Sequence, residues 1–183
     1  VRVVPTSILF VCTANQCRSP LAEAIARREA RELPVTFASA GLLEGGHGMP
    51  STGVKVAAEL GLDLSEHEST HVDYSAILGF DVVLTMTRAQ SRELVANEPE
   101  LWPRVFTVKQ FSRWLREHSR PSSGRVGTWL ASEAAERSRS ELLGSNPDDD
   151  VRDPLRSPAR VWKSVASELT DHIRTILGEL FPA

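Results

Sequence analysis

The chain of 183 residues is 41% hydrophobic and 25% charged, with a formal net charge of −3, which describes an ordinary globular protein with room for one sizeable core. No basic excess points to nucleic acid, no polybasic run points to anionic lipid, and no apolar run approaches a bilayer span, so neither partner is expected. Two cysteines in this length make no disulfide framework. With no signal-peptide pattern at the N-terminus, the expected setting is reducing and cytoplasmic.

Ser7 to Val11 is β-rich and apolar throughout, as a strand buried on both faces would be. Ser19-Pro20 then opens a helix, with Ser19 as the capping hydroxyl, Glu23 in the first turn and an end near Arg31. Val35 to Ala38 reads as a second strand, followed by a glycine-rich loop from Gly41 to Gly48 and a helix from Ser51 to Leu60, stopped by Gly61. Phe80 to Leu84 is a third strand, Arg88 to Asn97 a helix, and Arg104 to Thr107 a short fourth strand. From Glu117 to Asp150 the composition turns to Ser, Arg, Glu and Gly. This stretch reads as an insertion or lid before the last helix, with a helix over Thr128 to Leu143. Asp148, Asp149 and Asp150 read as a solvated charge run. The final helix, Ala159 to Leu180, carries Trp162, Val165, Ala166, Leu169, Ile173, Ile176, Leu177 and Leu180 three or four apart, which predicts one buried stripe. Strands alternating with helices predict a single α/β domain over residues 1–183 with a mostly parallel sheet. In such sheets ligands bind beyond the carboxyl ends of the strands, where Cys12 lies.

The stretch VCTANQCRSP, Val11 to Pro20, holds both cysteines. A cysteine, five residues and an arginine before a helix form a loop short enough to curl around one tetrahedral anion. Its backbone N–H groups then point inward, and the helix adds its own unpaired N–H groups and the positive end of its dipole. The predicted cradle is Thr13, Ala14, Asn15, Gln16, Cys17, Arg18 and Ser19. Arg18 supplies a planar fork for two phosphate oxygens. The same field favours a nucleophilic thiolate on Cys12, to which Ser19 can donate, and Asn15 tolerates a left-handed backbone in the tight loop. Attack on phosphorus gives a cysteinyl-phosphate that water hydrolyses, and a carboxylic acid serves the leaving group and then the water. Asp153, in VRDPLRSP ahead of the final helix, is the candidate acid. Cys17 either packs behind the loop or guards Cys12 by forming a reversible disulfide with its oxidised form.

The loop FVCTANQCRSPLAEA resembles the active-site loop of the low-molecular-weight protein tyrosine phosphatase family. Asp153-Pro154 is similar to that family's general-acid loop, and Ser39 to Gly41, Thr85-Met86 and Val105 to Phe111 also resemble its members. The resemblance implies a four-stranded parallel sheet with helices on both faces, no metal and no cofactor. It also implies a phosphorylated protein as substrate, phosphotyrosine first, and the roles given to Cys12, Arg18 and Asp153. This sequence departs from the family's pattern at Ala14, where glycine is usual, and at Leu155 and Arg156, where aromatics commonly follow Asp-Pro. Thr87 after Met86 is similar to the branch that acts on protein phosphoarginine, whereas Gln16 stands where that branch carries threonine. Protein phosphoarginine hydrolysis is therefore an alternative, as is a phosphoprotein-binding module without turnover. Arsenate reduction is a third, but it needs further cysteines that the chain lacks. His67-Glu-Ser-Thr-His71 fits the HExxH pattern of zinc proteases, but its polar flanks and missing third ligand favour a plain polar connection. The sequence leaves the oligomeric state open.

Overall fold

The computed structural model describes residues 4–182. Its sheet is built on β1 (Thr6–Cys12), whose alternating side chains serve two cores. Ile8, Phe10 and Cys12 face one core and Leu9 and Val11 the other, which accounts for the continuous apolar run read from the sequence. β2 (Val35–Gly41), β3 (Val82–Thr85) and β4 (Val105–Thr107) complete a four-stranded sheet in the order β2-β1-β3-β4, and every pairing is parallel.

Helices cover both faces. α1 (Arg18–Ala30), α2 (Ser51–Glu59), α4 (Val108–Glu117), α5 (Val126–Glu133) and α6 (Ala159–Leu180) pack on the Phe10 side. α3 (Arg88–Asn97) packs on the Leu9 side, with Val72, Ile77 and Trp102. The predicted stripe of α6 is buried at every position named above. Among the described residues no helix is long and apolar enough to cross a membrane.

Several local expectations change. Ser19 is not the cap of α1. The helix begins at Arg18, Cys17 holds the cap position without a side-chain bond, and Ser19 lies inside the first turn with its hydroxyl turned towards Cys12. Thr107 ends β4 and caps α4 directly: its hydroxyl accepts from Gln110 N, while the Gln110 side chain accepts from Thr107 N. The Thr-x-x-Gln pattern was a legible helix start. With no turn residues between strand and helix, α4 escaped the sequence reading.

The helix expected over 128–143 is instead the short α5 and a 3-10 turn at Arg139–Leu142. Between them Arg137 turns inwards, donates to the carbonyls of Trp102 and Val105, and stacks its guanidinium over the Phe106 ring. Burial pushes Arg137 down to about 10, opposed by Glu141, so it remains charged at neutral pH. A helix continued through this point could not make those contacts.

The aspartate run is also corrected, because only Asp148 is exposed. Asp149 is fully buried, with Arg88 Nε and Arg113 Nη2 each 2.5 Å from its carboxylate and Gln110 Nε2 at 3.1 Å. Asp150 Oδ1 accepts from the backbone N–H of Arg88 at 2.8 Å, at the start of α3. Val151 N then donates to Met86 O at 2.7 Å. These bonds fasten residues 149–151 to the carboxyl end of β3 and so deliver Asp153 to the end of the sheet where Cys12 lies.

Candidate active site

β1 ends at Cys12, and the chain curls through residues 13–17 before entering α1. The backbone N–H groups of Thr13 to Cys17 donate to no protein acceptor among the described residues. A row of backbone donors without protein acceptors on one tight curl has the make-up of an anion nest. Asn15 takes the left-handed turn at φ 52°, whereas Ala14 keeps a negative φ, so alanine in place of glycine brings no strain there.

The curl is held from behind. The Asn15 side-chain amide donates to the hydroxyls of Ser19 and Ser39, both at 2.9 Å, and its carbonyl oxygen accepts from Thr70 N at 2.9 Å. His67 Nε2 donates to the Asn15 main-chain carbonyl at 2.6 Å. A Cβ on Gly41 would lie 2.7 Å from the Ala14 carbonyl carbon and 2.8 Å from Asn15 N, so only glycine lets β2 close against the loop. Gln90 Nε2 donates to Thr13 Oγ1 at 3.0 Å while its Oε1 accepts from the backbone of Met86 and Thr87. Thr87 itself is the cap of α3 and accepts from Gln90 N.

Ser19 Oγ lies 3.1 Å from Cys12 Sγ, and towards a thiolate it can only be the donor. Arg18 is buried. Its Nη1 donates to Val151 O at 3.1 Å and its Nη2 to Asp153 Oδ2 at 2.9 Å, while Nε is buried without a partner. Asp153 is half-exposed, and its Oδ1 accepts from Leu155 N. The loop from Cys12 to Arg18, Asn15 excepted, floors a cavity of about 140 Å³ rimmed by Leu43, Asp153 and Leu155. Of the residues expected to form the cradle, Thr13, Ala14, Gln16, Cys17 and Arg18 line it, while Asn15 and Ser19 work from behind the curl. No residue of 117–150 lines it.

Cys17 is buried on the loop. Burial pushes its thiol up to about 12, with the charges of Asp153 and Cys12 adding and Arg18 opposing, so Cys17 is a neutral thiol at physiological pH. Both cysteines are free. The HExxH stretch is not helical: Glu68 and His71 make isolated bridges to Gly48 and Gly41. A zinc protease needs both histidines on one helical face. Instead, His67 supports the loop and His71 Nδ1 contacts Leu43 O. Among the described residues no three His, Cys, Asp or Glu side chains converge as a metal site. His67, Thr70 and Gln90 were not legible as part of the site. Each is distant in sequence and polar for reasons that only the folded loop reveals.

Comparison with known proteins gives a consistent picture. The family model described as "Low molecular weight phosphotyrosine protein phosphatase" matches residues 7–120. A probable low molecular weight protein-tyrosine-phosphatase, EpsP, of Ralstonia solanacearum is 36% identical over 108 residues, covering 59% of this chain and 74% of that protein. A protein-arginine-phosphatase of Geobacillus stearothermophilus is 29% identical and covers 97% of both chains. Among solved structures, a low molecular weight protein tyrosine phosphatase from T. tengcongensis superposes with a TM-score of 0.71 at 29% identity, covering 94% of this chain and 97% of that one. The YwlE arginine phosphatase from Geobacillus stearothermophilus gives a TM-score of 0.71 at 27% identity, covering 96% of this chain and 93% of that one.

Proposed function

The chain belongs to the low molecular weight phosphotyrosine protein phosphatase family, and on that premise we propose that it hydrolyses phosphotyrosine in proteins through a phosphoryl group carried on Cys12. The observation that carries this reading is the curl of free backbone N–H groups from Thr13 to Cys17, closed by the buried Arg18 fork. The phosphoryl oxygens sit on those donors and on Arg18, whose buried Nε has no other partner. Cys12 Sγ attacks phosphorus and the P–O bond to the tyrosine oxygen breaks. Asp153 gives that oxygen its proton. Asp153 then takes a proton from water as the water attacks the cysteinyl-phosphate, releasing inorganic phosphate and the Cys12 thiolate. An arriving phosphoryl group competes for Arg18 Nη2 and frees Asp153 to face the leaving group. Ser19 steadies the sulfur by its hydrogen bond when it leaves phosphorus.

Cys17 is the proposed reserve thiol. When peroxide oxidises Cys12 to a sulfenic acid, the Cys17 thiol condenses with it, forming one S–S bond and releasing water. A cytoplasmic setting, where thiols stay reduced, is part of the proposal.

A second reading, phosphoarginine as substrate, is favoured by two observations. The arginine-phosphatase relative aligns over 97% of the chain, and beside Asp153 the rim of the cavity carries Leu43 and Leu155, with no aromatic side chain among the described lining residues to wall a tyrosyl ring. Paired turnover assays on phosphotyrosine and phosphoarginine peptides of one sequence decide between them. In either case Cys12→Ser abolishes turnover, and Asp153→Asn slows it strongly while phosphate still binds. Undiminished hydrolysis by Cys12→Ser would refute the shared chemistry.

A further inference from the structure

Beside the cavity over Cys12, a second groove of about 280 Å³ is lined by Arg152, Arg160, Val161, Ser164, Val165 and Glu168. Adjacent residues wall the two openings, Asp153 the cavity and Arg152 the groove. Neighbouring Cα atoms are about 3.8 Å apart, so the backbone of Arg152 stands directly beside that of Asp153 at the cavity's edge.

The charges in this groove are unusual for the molecule. Most arginines of the chain are bonded to a carbonyl or a carboxylate. Arg152, Arg156 and Arg160 are exposed, and among the described residues none has a side-chain hydrogen bond or a carboxylate within 4.0 Å. The one carboxylate in the groove, Glu168, is already paired with Lys109. Arg156, in the turn between the other two, is held at φ 58°, a backbone that arginine adopts at a cost. A chain of net charge −3 thus gathers three unpaired cations on the segment that follows Val151 and carries Asp153.

We propose that this groove receives a carboxylate side chain of the phosphorylated protein, so that the enzyme selects phosphosites with aspartate or glutamate close to the phosphorylated residue. The inference rests on the phosphoprotein phosphatase reading and goes beyond it by naming the neighbouring sequence. Exposed ion pairs are individually modest, which corresponds to a gain of about three-fold in kcat/KM per engaged arginine, screened by salt.

The test uses phosphotyrosine and phosphoarginine peptides in three versions, with Asp/Glu, Asn/Gln or Lys flanking the phosphorylated residue, and an aryl phosphate as the flank-free reference. The wild type is expected to prefer the acidic peptide over the neutral one by about ten-fold at low salt, and the preference should fall as salt is raised. Arg152→Gln with Arg160→Gln removes the preference and leaves aryl phosphate turnover unchanged. Arg152→Glu with Arg160→Glu turns the preference towards the lysine-flanked peptide. Equal kcat/KM for acidic and neutral peptides in the wild type, with normal aryl phosphate turnover, overturns the inference alone. A preference untouched by the charge-reversed variant overturns it as well. Absence of turnover in the wild type of the aryl phosphate and of both kinds of peptide overturns the phosphatase reading and the inference with it.

Discussion

Replacing Arg18 by lysine keeps the positive charge and removes the fork. The guanidinium is buried and spreads its donors over three directions: Val151 O at 3.1 Å, Asp153 Oδ2 at 2.9 Å, and an unpartnered Nε. An ammonium group cannot serve two phosphoryl oxygens in one plane and hold Val151 as well. At least two charge-assisted hydrogen bonds to the phosphoryl group are lost, at about 1.5–3 kcal/mol each. Their sum, about 3–6 kcal/mol, corresponds to a fall of about 10²- to 10⁴-fold in kcat/KM. Steady-state hydrolysis of an aryl phosphate measures it, with thermal melting to show that the variant is folded and inorganic phosphate inhibition to report ground-state binding. If Arg18 acted through charge alone, the variant would stay within ten-fold of the wild type, and that result would refute the bidentate cradle.

Asp149→Asn should destabilise the fold towards the lower end of about 3–5 kcal/mol, because the fully buried carboxylate holds Arg88 and the half-exposed Arg113. Burial raises the Asp149 carboxyl, but the bonds and charges of Arg113 and Arg88 outweigh it and hold it below the usual range. Its stabilisation is therefore full above the unfolded value of about 3.9 and is lost as pH falls through the lower folded value, so wild type and variant should converge in acid unfolding curves. Gln90→Leu leaves the half-buried Thr87 N–H without its acceptor, leaves Met86 N only its 3.2 Å bond to Val11 O, and unties Thr13, which should cost about 1 kcal/mol in denaturant melts and loosen phosphate binding. Cys17→Ser should leave initial turnover within about two-fold, yet make peroxide inactivation irreversible by thiol reductants. In the wild type, disulfide closure should speed up as pH rises towards 10, because the Cys17 thiol is pushed up to about 12. Closure independent of pH would contradict a thiol kept protonated by burial.

The sheet and the last helix were legible because their signals are local: an unbroken apolar run for β1, and a single stripe three or four apart for α6. The loop from Cys12 to Arg18 was legible because Cys12, Arg18 and the helix start are contiguous in sequence. Asp153 was picked out by its proline and its place before α6, although nothing local reveals that Asp149, Asp150 and Val151 carry it there. Asp149 misled the reading because a triple aspartate looks solvated until Arg88 and Arg113, some sixty and forty residues upstream, close on it. The support of the loop by His67 and Gln90 likewise depends on contacts between distant segments, which periodicity cannot report.

That Cys12 carries the phosphoryl group is tested most directly by quenching the enzyme rapidly during turnover of an aryl phosphate and mapping the phosphorylated peptide by mass spectrometry. Asp153→Asn should be included to slow breakdown of the intermediate. The peptide containing Cys12 should carry one phosphoryl group on sulfur, and the Cys12→Ala variant none. Turnover that proceeds with no phosphorylated cysteine, or with the phosphoryl group on another residue, would contradict the mechanism.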